Sequence, residues 1–115
     1  MATTVEIVEH TDTHSYVRIV GPLDLAGVGE IELKFTAATA SRRKHAIVDL
    51  SHVPFMASLG MGMLTRVART LAVDGRKVVL LQPTDVVATA LRTSRLDSVM
   101  PIATSMAAVH VHFAP

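Results

Sequence analysis

No cysteine and no tryptophan occur among the 115 residues, and aromatic side chains make up only 3% of them. The first absence excludes a disulfide framework, a thiolate zinc site and a cysteine nucleophile. Charge of one sign is lacking too. Lys+Arg of 11 against Asp+Glu of 10 leaves a formal +1, which argues against nucleic-acid binding through a dense basic face. No apolar run approaches the roughly 20 residues needed to cross a bilayer, and no basic start followed by an apolar core marks a signal peptide. What is present is a chain that is half hydrophobic, of a length suited to one domain and able to hide about two-thirds of its extended surface. The expectation is a soluble, cytoplasmic single domain over residues 1–115, with no membrane contact, no direct nucleic-acid partner, no metal and no cofactor.

Short β-type runs alternate with longer helical stretches. Val5-Glu6-Ile7-Val8 and Tyr16-Val17-Arg18-Ile19-Val20 flank the polar stretch from His10 to His14 and read as an antiparallel pair, stopped by Gly21-Pro22. Asp24 is placed to cap a helix reaching about Ala40, with Val28, Ile31 and Phe35 as its apolar stripe and Glu30 and Lys34 as an i,i+4 pair. The basic cluster Ser41-Arg42-Arg43-Lys44 suits the exit of that helix. Ala46-Ile47-Val48-Asp49-Leu50 is nearly continuous and apolar, as in a strand covered on both faces.

A loop from Ser51 to Ala57 leads to Ser58, a candidate N-cap, and to the periodic set Leu59, Met63, Val67 and Leu71, with Leu64 and Ala68 beside it. That helix should end at Asp74-Gly75. Val78-Val79-Leu80-Leu81 reads as another buried strand. Thr84 should cap a helix from Asp85 to about Ser94, Val99 to Ala103 a last strand, and Ser105 the start of a helix through about His110. Periodicity does not settle residues 111–115. With no linker and no internal repeat, the pattern predicts one α/β layer structure.

The segment from Val48 to Leu64 concentrates the chemistry. A strand delivers the chain to a loop, a serine sits where a helix begins, and Gly60 and Gly62 follow inside the first turns. Each glycine there costs about 1 kcal/mol of helix stability relative to alanine, so a close approach of another backbone or of a ligand is expected. Ser58 has two compatible readings: a helix cap through its hydroxyl, or a hydroxyl at a site where a phosphate would be favoured by free amides and the helix dipole. A phosphate cradle built from Ser58-Leu59-Gly60-Met61-Gly62 lacks both the lysine of a P-loop and the third glycine of a dinucleotide fingerprint. Asp49 reads as a loop-ordering carboxylate rather than an acid–base catalyst. His110-x-His112 reads as a tail pair rather than a metal site. Met56, Met61 and Met63 suit packing or adaptable docking.

Val48-Asp49-Leu50-Ser51 through Ser58-Leu59-Gly60-Met61-Gly62-Met63-Leu64 resembles the signature loop of the STAS-domain anti-sigma factor antagonists, in which an aspartate-leucine-serine strand end leads to Asp-Ser-(Ser/Thr)-Gly and a helix. Gly21-Pro22-Leu23-Asp24, Gly75-Arg76-Lys77-Val78, Leu96-Asp97-Ser98-Val99-Met100-Pro101-Ile102 and Ser105-Met106-Ala107-Ala108-Val109 resemble further family segments in the family's order. Ala57 stands where the family has aspartate, and Leu59 where it has a second serine or threonine.

The resemblance implies a STAS-like domain, a mixed four- to five-stranded sheet with helices packed mainly on one face. It implies a non-enzymatic switch protein, a monomer or weak homodimer. Such a protein binds a serine-kinase anti-sigma factor when unphosphorylated, is released when the kinase phosphorylates Ser58, and is reset by a phosphatase. The partner surface implied is Asp24 with Met56, Ala57, Ser58, Leu59, Gly60, Met61 and Gly62. Ala57 and Leu59 keep open an alternative, a constitutive scaffold module without phosphoregulation.

Overall fold

The computed structural model describes residues 2–113. Its centre is a five-stranded sheet in the order β1-β2-β3-β4-β5. β1 (Thr4–His10) and β2 (His14–Val20) are the expected antiparallel hairpin, with an irregularity between Ile7 and Glu9. From β2 onward all pairings are parallel, through β3 (His45–His52), β4 (Val78–Leu81) and β5 (Ile102–Ala103). Parallel neighbours require crossovers, here α1 (Leu25–Ala38), α2 (Ser58–Val73) and α3 (Asp85–Thr93). The last helix, α4, spans Met106–Phe113.

Alternation along β3 sorts its side chains between two cores. Ala46, Val48 and Leu50 join Phe35, Ile31, Met63, Leu64, Leu71, Val87 and Leu91 from α1, α2 and α3 on one face. Ile47 joins Val79, Leu81, Ala103 and Val109 on the other, under α4. Three helices on one face and one short helix on the other is the expected architecture. Residues 46–50 are all buried, which explains why that strand reads as an unbroken apolar run.

Several local expectations are corrected. Glu30 does not pair with Lys34; its carboxylate accepts the Thr3 amide at 3.2 Å and so ties α1 to the first strand. β5 is shorter than Val99–Ala103, because Leu96–Ser98 forms a turn of 3-10 helix and the residues paired with β4 are Ile102 and Ala103. α4 runs past His110 to Phe113, and residues 114 and 115 of the unsettled tail lie outside the described residues. The basic cluster does follow the exit of α1, with Arg43 74% exposed, but its cations are partnered. Arg43 makes a double hydrogen bond to Asp74 at 3.0 Å, Arg42 reaches His10 and the Thr11 carbonyl, and Lys44 Nζ donates to that same carbonyl at 3.1 Å.

Candidate functional site

Because β2, β3 and β4 are parallel, the helices that follow them all begin at one end of the sheet. The three N-termini are laced together there. Gly21 N–H donates to the His52 carbonyl at 3.0 Å, Leu23 N–H to Phe55 O and Ala57 N–H to Leu23 O at 2.9 Å each. The Thr84 hydroxyl donates to Val53 O at 3.2 Å. The loop entering α2 is therefore held from both sides by its neighbours.

Gly60 shows why glycine is needed in that first turn. A Cβ there would stand 2.8 Å from Leu23 Cβ and 3.0 Å from the Leu23 carbonyl, so the close approach is by backbone, not ligand. At Gly62 a Cβ would meet only the Arg66 guanidinium at 3.4 Å, and nothing in the structure explains that glycine.

The N-cap of α2 is Ala57, not Ser58. Ala57 has the extended φ of −89° and ψ of 172° of a cap but has no side-chain acceptor. Ser58 is the first helical residue, exposed, with no hydrogen bond to its hydroxyl among the described residues. The Ser58 and Leu59 amides likewise lack acceptors, and no acidic residue lies in the first turn. The positive end of α2 is thus left uncompensated beside a free hydroxyl.

α1, next to it, is finished differently. Asp24 Oδ1 accepts the Gly27 amide at 2.8 Å, as its sequence position predicts. The contrast gives a paired prediction. Asp24→Ala should lower stability by about 1 kcal/mol, and Ala57→Asp should raise it by a similar amount by supplying the missing cap. Urea denaturation checks both, and an unchanged Ala57→Asp midpoint would contradict the cap assignment.

Two of the predicted surface residues turn inward. Met56 is only 4% exposed and forms a lone parallel bridge with Leu23. Gly60 is buried, while Met61 is half-buried against the main core. Leu59 departs the other way. It is 48% exposed rather than part of the core stripe, because residues four apart drift by about 40° around a helix and Leu59 lies at the trailing edge of the set that ends at Leu71.

Leu59 has apolar company that sequence reasoning missed: Leu25 at 74% exposure, Phe55 at 50% and Val86 at 62%. Leu25, Leu59 and Val86 each occupy the first turn of a helix at this end, and Phe55 lies in the loop before Ser58. Their signal was available. Leu25 and Val86 fall outside the arcs set by Val28, Ile31 and Phe35 and by Val87 and Leu91.

Beneath this surface Asp49 orders the start of the loop. Its Oδ1 accepts the Ser51 amide at 2.8 Å and the Ser51 hydroxyl at 2.7 Å, and its Oδ2 accepts Arg18 Nε at 3.0 Å. Burial pushes the carboxyl up, but the Ser51 donors and the Arg18 guanidinium outweigh it and hold it below the ordinary aspartate range. It is an ionised structural group, not a proton carrier.

A model of the STAS domain matches residues 5–109 of the chain. Solved structures share the fold. One is an anti-sigma factor antagonist from Mycobacterium paratuberculosis, with a TM-score of 0.83 at 19% identity over 96% of this chain and 93% of that one. Another is an anti-sigma-factor antagonist (STAS) domain protein from Planctomyces limnophilus, with a TM-score of 0.77 at 19% identity over 98% of both chains. A third is the Bacillus cell fate determinant SpoIIAA in its phosphorylated form, with a TM-score of 0.66 at 25% identity over 96% of this chain and 98% of that one.

Proposed function

As this chain belongs to the STAS domain family, we propose that it is an anti-sigma factor antagonist whose docking to a serine-kinase anti-sigma factor is switched by phosphorylation of Ser58. The observation that carries this reading is the Ser58 hydroxyl, exposed at the mouth of α2 with no hydrogen bond among the described residues, at the end of the sheet where Leu25, Phe55 and Leu59 are also exposed. Apolar groups gathered in this way are the material of a docking surface. A hydroxyl in their midst is where added charge does most harm to docking.

Phosphorylation would add about −1.5 to −2 charges. Within the free protein that charge is well placed, since the unpaired Ser58 and Leu59 amides and the dipole of α2 favour an anion. Docked, the same dianion would be stripped of water against an apolar partner patch. The modified form is stable alone and poor at binding, which is the requirement for a switch. The protein's own chemistry is then to present a hydroxyl; transfer onto it belongs to the kinase, and removal to a phosphatase.

The test is to mix the protein with its cognate anti-sigma factor, with and without ATP, and follow intact mass and complex formation. A single phosphate on Ser58 and loss of the complex are expected with ATP. Ser58→Asp should weaken binding about a hundredfold and Ser58→Ala only a few-fold. Equal affinities would overturn the electrostatic switch, and no complex together with no phosphate would overturn the reading as a whole. Ala57, which leaves α2 uncapped beside the acceptor, favours a second reading as a constitutive scaffold module. A complex that forms equally with Ser58 modified or free would select it.

A further inference from the structure

At the end of the sheet away from Ser58, a cleft of about 550 Å³ opens between the β1–β2 turn, the starts of β2 and β3, the α2–β4 turn and the last turn of α4. One wall is aromatic. Phe113 lies face to face with His45, ring centroids 4.4 Å apart and planes 10° from parallel. His110 meets His14 edge-on at 6.1 Å.

Hydrogen bonding fixes the proton positions. The Lys77 amide donates to His45 Nδ1 at 3.0 Å. An amide can only donate, so Nδ1 carries the lone pair and Nε2 the proton, leaving an N–H with no partner among the described residues. His14 is already satisfied, with Nε2 at 3.2 Å from the Glu9 carboxylate and Nδ1 at 3.3 Å from the hydroxyls of Thr11 and Thr13. It serves as wall rather than donor. Arg76 lines the cleft and makes no ion pair among the described residues. The other charge on the lining is Asp12, which opposes any second negative group on an occupant.

We propose that this cleft binds a small organic anion, a planar ring bearing a single carboxylate or phosphate, with the charge on Arg76 and the His45 and His110 imidazoles and the ring against the aromatic wall. A guanidinium, imidazole donors and an aromatic platform are the complement of such a ligand. Phe113 also packs against the smaller core under α4, but the cleft lies at the end of the sheet away from Ser58, so the site stands apart from partner switching.

The test is a titration of the full chain at constant pH with benzoate, phenyl phosphate and neutral benzyl alcohol, read on the histidine ring resonances by NMR. Either anion should give saturable shifts at His45 and His110, and the alcohol should not. Arg76→Gln should weaken anion binding about tenfold without changing the urea midpoint, since the side chain is exposed. The proposal is overturned if neither anion saturates at millimolar concentration, if the alcohol binds as tightly, or if Arg76→Gln leaves affinity unchanged.

Discussion

Gly27→Ala is expected to cost about 3 kcal/mol or more, while the same change two residues along, at Gly29, should raise stability by about 0.5–1 kcal/mol. Both glycines lie in α1, and helix propensity alone gives them equal gains. Their surroundings differ. A Cβ at Gly27 would stand 2.0 Å from the Pro22 carbonyl oxygen and 2.7 Å from Thr3 Oγ1, whereas a Cβ at Gly29 would meet nothing within 4 Å. The Pro22 carbonyl cannot give way easily. It is backbone, and it accepts the Thr3 hydroxyl at 2.7 Å. Relief would push the start of α1 away from the first strand, taking with it the Asp24 cap and the Leu25 side chain of the proposed docking face. Gly27→Ala should therefore also weaken partner capture at temperatures where it remains folded. Paired urea denaturation curves decide the matter, and equal midpoints for the two variants would refute the crowding argument.

The second large effect is expected at Asp49. Asp49→Ala leaves Arg18 with only the looser Glu6 contact at 3.9 Å, strands the Ser51 donors, and should cost about 2–3 kcal/mol. The figure is below that for breaking a fully buried ion pair because the Arg18 side chain is 31% exposed and water takes up part of its charge. Asp49→Asn keeps an acceptor for Ser51 and should cost about half as much. The pH dependence has a definite sign. The folded carboxyl titrates below its ordinary value, so its contribution is fully present above the unfolded pKa of about 3.9 and is lost as pH falls through the folded one. The gap between the wild-type protein and Asp49→Asn should accordingly shrink in acid. A gap that stays constant from about pH 7 down to about pH 3 would show that charge is not what matters there.

These two residues illustrate the limits of reading along the chain. Asp49 follows the three apolar residues Ala46 to Val48 and is followed closely by Ser51, so its bond to the Ser51 amide was legible as local loop ordering. Its bond to Arg18 was not, because that contact depends on which strand lies beside β3. Gly27 gave no warning at all. It sits in the first turn of a helix that Asp24 announces, and only the return of Thr3 and Pro22 against it makes alanine costly.

The candidate site divides in the same way. Ser58 at the start of a helix was clear from the loop and the periodic run that follow one another around it. That Ala57 rather than Ser58 holds the cap position was not, since a boundary shift of one residue leaves the apolar pattern almost unchanged. Met56 and Leu59, both placed on the expected partner surface, part company in the structure, Met56 buried and Leu59 exposed. Neither outcome follows from chain position, because burial depends on what packs against each residue. Leu23 covers Met56, and nothing covers Leu59.

The order of strands and helices, the caps at Asp24 and Thr84, the buried central strands and the helix exit at Gly75 were all set by the sequence alone, because each rests on interactions between residues a few positions apart. The tertiary structure alone decided that the first turns of three helices, each with an exposed apolar side chain, come to one end of the sheet, and that histidines 14, 45 and 110 meet in one cleft. Those groupings depend on parallel pairing between distant strands, and local periodicity carries no information about which distant residues that pairing will bring together.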